Sequence, residues 1–231
     1  MDNYNAIADN YNESEQNAIT LWRLGYPVVA KLLGDVTGKS CLDYGCGTGT
    51  FCRFLYSKGA SLTGVDVSEN MIKVAKRNST NMINYHTISD GLNFLSDNEF
   101  DFVVANFVLC TISSCQEISL ILDQIHRVLK KEGRFIIMNS NWDKSNGKEF
   151  ISFKLEYCKN LVPGQVVKAI IKSDPPIVLN DYFWPIEEYC KLLEKSGFRI
   201  HDLRENIANS DNVCWLDEKE YPPYYIISAR K

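Results

Sequence analysis

"CLDYGCGTGTF", Cys41 to Phe51, sets glycines at positions 45, 47 and 49 directly after a short apolar run. A run that enters a glycine turn and leaves as a helix-type segment reads as the first crossover of an open α/β sheet. Glycine lets the backbone turn tightly and lets a ligand approach with no β-carbon in the way. The helix that follows offers unpaired N–H groups to a carboxylate or phosphate. Ligands of such sheets sit beyond the carboxyl ends of the strands, so this loop is the expected floor of a site.

Outward from the loop, short β-type runs alternate with helix-type runs. "SCLDY" reads as a strand, "TGTFCRFLYSKG" as a helix closed by Gly59, and "SLTGVD" as a second strand. Ser68 is placed to cap the helix "ENMIKVAKRN". "INYHTI" and "FDFVVANF" read as strands three and four. In "EISLILDQIHRVLKKEG" the residues Ile118, Ile121, Leu122, Ile125, Val128 and Leu129 share one helical face, with Gly133 as the stop before a fifth strand, "RFIIMN". A helical arm, Tyr4 to Leu33, precedes this core, and "IEEYCKLLEKSG", "FRIHDLRE" and "YYIISARK" follow as helix, strand and strand. The reading is one domain over 1–231: an arm at 1–38, a ligand-binding core at 39–139, an aromatic- and proline-rich insertion at 140–185, and a closing helix and strands at 186–231.

Composition narrows the function. The chain is 45% apolar with net charge −4, which suits a soluble globular protein and argues against nucleic acid, whose phosphates need a basic stripe. No apolar run is long enough for a membrane span, and "MDNYNAIADNYNESEQ" lacks the form of a secretory signal. The eight cysteines contain no C-x-x-C, so they read as free thiols of a cytoplasmic protein, with no metal site.

Three ligands compete for the loop. A triphosphate loop needs a lysine after the last glycine, and none follows Gly49. A dinucleotide loop needs a glycine three residues after Gly47, where Thr50 stands. The G-x-G-x-G spacing, preceded by Asp43, suits a ligand lying flatter on the loop. Asp43 can brace the turn or meet an ammonium group. Asp66 ends the second strand, where a carboxylate can accept both hydroxyls of a ribose.

"LDYGCGTG" with "GVDVSENMIKVAKR", then "DNEFDFVVANFVL" and "IHRVLKKEGRFII", closely resembles the class I S-adenosylmethionine-dependent methyltransferases. The resemblance covers Tyr4 to Asn139 well and the closing helix and strands loosely. It implies a Rossmann-like, doubly wound, seven-stranded sheet, mostly parallel, with the last strand antiparallel. It implies S-adenosyl-L-methionine as cofactor and S-adenosyl-L-homocysteine as product. By the same matching Gly45, Cys46, Gly47 and Gly49 line the methionine part, Asp66 the ribose, and Val67 and Met71 the adenine. Asp90, or Ser89 in its place, would hold the adenine amino group. Asn106 and Phe107 would flank the transferable methyl, and Tyr4 and Tyr11 would face inward from the arm.

A sulfonium already carries its leaving group, so the site needs position more than a strong base. No catalytic residue is nominated: His86, His126 and His201 read as structural or solvated, and Cys110 and Cys115 lack a partner histidine. The acceptor is expected to be a small molecule, methylated at oxygen, nitrogen or carbon. Its pocket is expected among Asn141, Trp142, Tyr182 and Phe183 of the insertion. Trp184 reads as packing, and "SDPPIVL" as a stiff loop, since it follows no fourth strand and lacks the tyrosine that stacks on a flipped base. An RNA or protein methyltransferase and a non-catalytic cofactor-binding scaffold remain alternatives, and the sequence leaves the oligomeric state open.

Overall fold

The computed structural model describes residues 4–89, 91–210 and 212–231, so Asp90 lies outside the described residues. The chain opens with α1 (Tyr4–Gln16), a π-helical turn at Leu21–Gly25 and α2 (Tyr26–Leu33). Strand β1 (Ser40–Tyr44) and α3 (Thr50–Tyr56) flank the glycine loop; β2 (Ser61–Asp66), α4 (Glu69–Arg77), β3 (Asn84–Thr87) and β4 (Phe100–Asn106) continue the alternation. Then come α5 (Cys115–Val128), β5 (Leu129–Ser140) and a single turn, α6 (Trp142–Ser145). A second set of strands, β6 (Phe153–Leu155), β7 (Gln165–Ile171) and β8 (Ile177–Phe183), precedes α7 (Ile186–Lys195), β9 (Arg199–Arg204) and β10 (Tyr224–Arg230).

Seven strands form one sheet in the order β3-β2-β1-β4-β5-β10-β9, with β10 antiparallel to both its neighbours and the other pairs parallel. Side chains of a strand alternate between faces, and here both faces are buried. Phe102, Val104, Ile136 and Met138 enter one core with Leu33, Phe51, Leu55 and Ile72. Val103, Ala105, Phe135 and Ile137 enter the other with Leu122, Ile125 and Leu193. Strand order reverses beside β1, which puts the glycine loop at the crevice between β1 and β4. The Ser68 hydroxyl caps α4 by accepting from the Met71 N–H at 3.2 Å.

The sheet is the expected one, but the sequence misplaces the end of α5. The helix stops at Val128, not at Gly133. Leu129, fully buried, already pairs with Phe100 in the sheet, so the residue that completes the apolar stripe belongs to the strand. The insertion is also more regular than its composition suggests. Its strands make a separate antiparallel sheet, β6-β7-β8, that lies over the carboxyl end of the main one.

Candidate active site

A cavity of about 450 Å³ opens at the crevice. Its floor is the glycine loop with Tyr44, Asp66, Val67 and Ser68. The loop is tied down from below, since the Gly45 and Cys46 N–H groups both donate to the Val65 carbonyl, at 2.8 and 2.9 Å. Gly45 (φ +72°) and Gly47 (φ +52°) sit in the left-handed region that side chains resist. A β-carbon on Gly45 would lie 2.2 Å from Val108, whereas one on Gly47 would meet nothing within 4 Å. Gly47 is thus the open side of the loop, and Gly45 the packed side.

Asp66 accepts from the Gly47 N–H at 2.9 Å and the Ser68 N–H at 2.8 Å, so the strand-end acid shapes the loop as well as facing the cavity. Burial raises its pKa despite those bonds. Asp43, Cys46 and Gly49 stand behind the loop, off the cavity wall. Asp43 is buried and accepts from the Cys52 thiol at 3.2 Å, a bracing position. Burial, opposed by that bond and helped by the Glu15 and Asp66 charges, lifts its pKa from 3.8 to about 7. The native state therefore holds this proton more tightly than the unfolded chain does. Its contribution makes stability fall as pH rises from about 4 to about 7 and then level off. The ligand-free Asp43→Asn variant is expected to show a flatter melting temperature over that window. Equal slopes in the two proteins would rule this out.

Helix α1 closes one side. Tyr4, Tyr11 and Glu15 line the cavity, and Tyr4, Ala8, Tyr11 and Glu15 follow one another at spacings of four, three and four residues, a single helical face. Tyr4 and Tyr11 meet edge to face at 6.1 Å, and α1 packs Ala8 against Met71 and Val74 of α4. Asn5 fixes the register by accepting from the Ser68 hydroxyl at 2.8 Å and the Asn70 N–H at 3.0 Å. Glu15 fastens the arm to the loop, accepting from the Thr48 hydroxyl at 3.1 Å and from the Tyr26 hydroxyl.

At the end of β4, Asn106, Phe107 and Val108 form the next wall. Phe107 takes a left-handed backbone (φ +57°) that no glycine relieves, a strained position of the kind that clusters at functional sites. The Asn106 amide is buried with neither its oxygen nor its nitrogen partnered.

The structure therefore brings Tyr4, Tyr11, Gly45, Gly47, Asp66, Val67, Met71, Asn106 and Phe107 to one cavity. Ser89 is exposed and off the wall. The four residues chosen for an acceptor pocket are not on it either. Asn141 is fully buried, caps α6 and donates to Glu205 at 2.8 Å; Trp142 is buried in the core. Tyr182 lies on the outer face of β8, one residue out of phase with Leu179 and Asp181, and Phe183 packs in the core beyond them. The cap wall is instead Phe153, Ala169, Ile171, Leu179 and Asp181, with Tyr224 beside Phe107. Among the described residues none of the three histidines lines the cavity, all eight cysteines are free thiols, and no metal-binding cluster is found. No helix among them is long and apolar enough to cross a membrane.

Residues 42–137 match the model of a family described as a methyltransferase domain. The chain is 30% identical to an N-demethylindolmycin N-methyltransferase of Streptomyces griseus, over 83% of this chain and 84% of that one. It is 27% identical to a demethylmenaquinone methyltransferase of Tropheryma whipplei, over 85% and 82% of the two chains. An S-adenosylmethionine-dependent methyltransferase structure from Mesorhizobium loti superposes with a TM-score of 0.68 at 20% identity, over 93% of this chain and 99% of that one. With this sheet order, and with the glycine loop and Asp66 at the strand-order reversal, the chain belongs to the methyltransferases and has their class I fold.

Proposed function

We propose that the protein binds S-adenosyl-L-methionine in this cavity, transfers its methyl group to a small-molecule acceptor and releases S-adenosyl-L-homocysteine. The observation that carries the reading is the pairing of empty space over Gly47 with the unpartnered Asn106 amide in one cavity: room and unused hydrogen bonds for a ligand. No lysine or arginine occurs among the described lining residues, while Glu15 and Asp66 do. A diphosphate bridge would meet those carboxylates uncompensated, whereas a ligand with sulfonium and ammonium charges suits them.

Bound there, the cofactor would supply a methyl group already activated on positive sulfur. Asp66 would accept from the ribose hydroxyls with the lone pairs its two backbone bonds leave free. Val67 and Met71 would cover the adenine, and Asp90 or Ser89 would reach its amino group. Gly45 and Gly47 would pass beneath the methionine part, with Asp43 and Cys46 holding the loop from behind and Gly49 at its exit into α3. Asn106 and Phe107 would fix the transfer point, and Tyr4 and Tyr11 would exclude water from above. Holding donor and acceptor in line can supply roughly 7–11 kcal/mol of the acceleration. Both named relatives above carry small molecules in their names, which supports a small acceptor here.

Calorimetry with S-adenosyl-L-methionine, S-adenosyl-L-homocysteine and NAD tests the cofactor. Binding of the first two and not the third is expected. Tight NAD binding without binding of the sulfonium would overturn the reading.

A further inference from the structure

We propose that Glu15, on the arm, takes the ammonium group of the donor's methionine part and so ties donor binding to the arm. The inference rests on the cofactor reading of the cavity. Asp43, the acid nearest the glycines in sequence, is spent elsewhere: it is buried behind the loop, off the cavity wall, and accepts from the Cys52 thiol at 3.2 Å. Glu15 lines the cavity together with Gly45 and Gly47. One oxygen of its carboxylate accepts from the buried Tyr26 hydroxyl, and the other from the buried Thr48 hydroxyl at 3.1 Å. The Trp22 indole N–H donates to its backbone carbonyl at 3.1 Å. The side chain is thus held against the turn, while each carboxylate oxygen, with one donor, keeps room for another.

The loop favours a cation at this point. The N–H groups of Gly45 and Cys46 go to the Val65 carbonyl, that of Gly47 to Asp66, and that of Gly49 to the Cys46 carbonyl. The donors that a phosphate or carboxylate would use are spent inside the protein. Arg53 of α3 turns its guanidinium to the Thr48 carbonyl at 2.7 Å and the Thr50 hydroxyl at 3.1 Å. No lysine, arginine or histidine lines the cavity among the described residues. Gly47, next to Thr48 in the chain, leaves the room, since a β-carbon there would meet nothing within 4 Å.

The arm gains from such a contact because other polar anchors of α1 lie at the surface. Asp9 pairs with Arg77, the two side chains being 76% and 60% exposed, and Asn10 donates to the Pro175 carbonyl of the cap at 3.2 Å in solvent. Exposed bonds of this kind contribute little. An ammonium held at Glu15 inside the cavity adds a charge-assisted bond to the last turn of α1. Only the amino-acid end of the donor supplies it; the nucleoside end does not.

Calorimetry on the full chain tests this with three probes: S-adenosyl-L-methionine, S-adenosyl-L-homocysteine and methylthioadenosine, which keeps the nucleoside and the thioether but lacks the amino-acid part. Glu15→Gln retains an oxygen that accepts hydrogen bonds and loses the charge. It is expected to weaken binding of the first two by ~10-fold or more and to leave the third unchanged. Equal losses for all three would make Glu15 a brace for the loop, and no loss for any would remove it from the site; either result overturns the proposal. A second measurement needs no variant. Amide exchange in the last turn of α1 of the unsubstituted protein is expected to slow with S-adenosyl-L-homocysteine and not with methylthioadenosine. Equal slowing, or none with either, overturns the proposal even where Glu15→Gln fails to fold. If the unsubstituted protein binds neither S-adenosyl-L-methionine nor S-adenosyl-L-homocysteine, the cofactor reading itself fails, a result distinct from these.

Discussion

Gly45→Ala is expected to destabilise the fold and abolish binding of S-adenosyl-L-methionine. Two costs coincide at this residue. Its backbone, at φ +72°, would carry a β-carbon in a region that disfavours one by about 1–2 kcal/mol. That β-carbon would also stand 2.2 Å from Cγ2 and 2.9 Å from Cγ1 of Val108, an overlap of the overpacking kind that costs about 1–3 kcal/mol. The sum is a large part of a typical domain's stability of about 5–15 kcal/mol. Relief by movement would displace either the loop or Val108, and both line the cavity. The double variant Gly45→Ala with Val108→Ala separates the two costs: the 2.2 and 2.9 Å overlaps go while a 3.1 Å approach to the Val108 Cβ and the backbone strain stay, so part of the lost melting temperature should return. Thermal denaturation and calorimetry check the pair. A Gly45→Ala protein with normal stability and normal affinity would contradict the geometry.

Asp66→Ala is expected to weaken cofactor binding by about two orders of magnitude. Charge-assisted hydrogen bonds contribute about 1.5–3 kcal/mol each, and every ~1.4 kcal/mol is tenfold in affinity. The carboxylate would lose its bonds to the ribose, and the Gly47 and Ser68 N–H groups would lose the acceptor they now share. Asn at this position keeps one accepting oxygen but turns an NH2 group toward one of those N–H groups, so Asp66→Asn should recover little. Calorimetric titration of each variant decides, and an unchanged dissociation constant would remove Asp66 from the site.

The parallel core was legible because β1, β2 and β4 are each followed by a helix with its own signals, and β1 and β4 are largely buried on both faces. Ser68 and the glycines of the first loop announce themselves by residue type. The arm was legible as a helix. Glu15 was missed, although its spacing from Tyr11 and Ala8 puts it on the cavity face, because beside Glu13 in "NESEQ" it reads as one more charge on a solvated helix face. The end of α5 was misread because Leu129 continues a helical stripe that pairing with Phe100 overrules. The cap was hardest. "QVVKAII" and "IVLNDYF" carry apolar residues on both faces, with Val166 and Val178 exposed, so alternation alone hides which face is inner. Tyr182 stands one residue out of phase with Asp181, which lines the cavity, and in a strand one residue is the other side of the sheet. Aromatic type does not say which face of the strand meets the cavity; parity does.

The three-stranded cap has a broader consequence. It shares no strand with the main sheet: the chain leaving β5 and the chain entering α7 connect the two, and packing such as Phe153 on Tyr224 seats one on the other. On the proposed reading, donor and acceptor would then be recognised by separable pieces of backbone. Retuning Phe153, Ala169, Ile171 or Leu179 would reshape the cap side of the cavity without touching the crossover proposed to hold the nucleoside. A scaffold divided in this way can acquire new clients by repainting one small surface while its reaction stays the same.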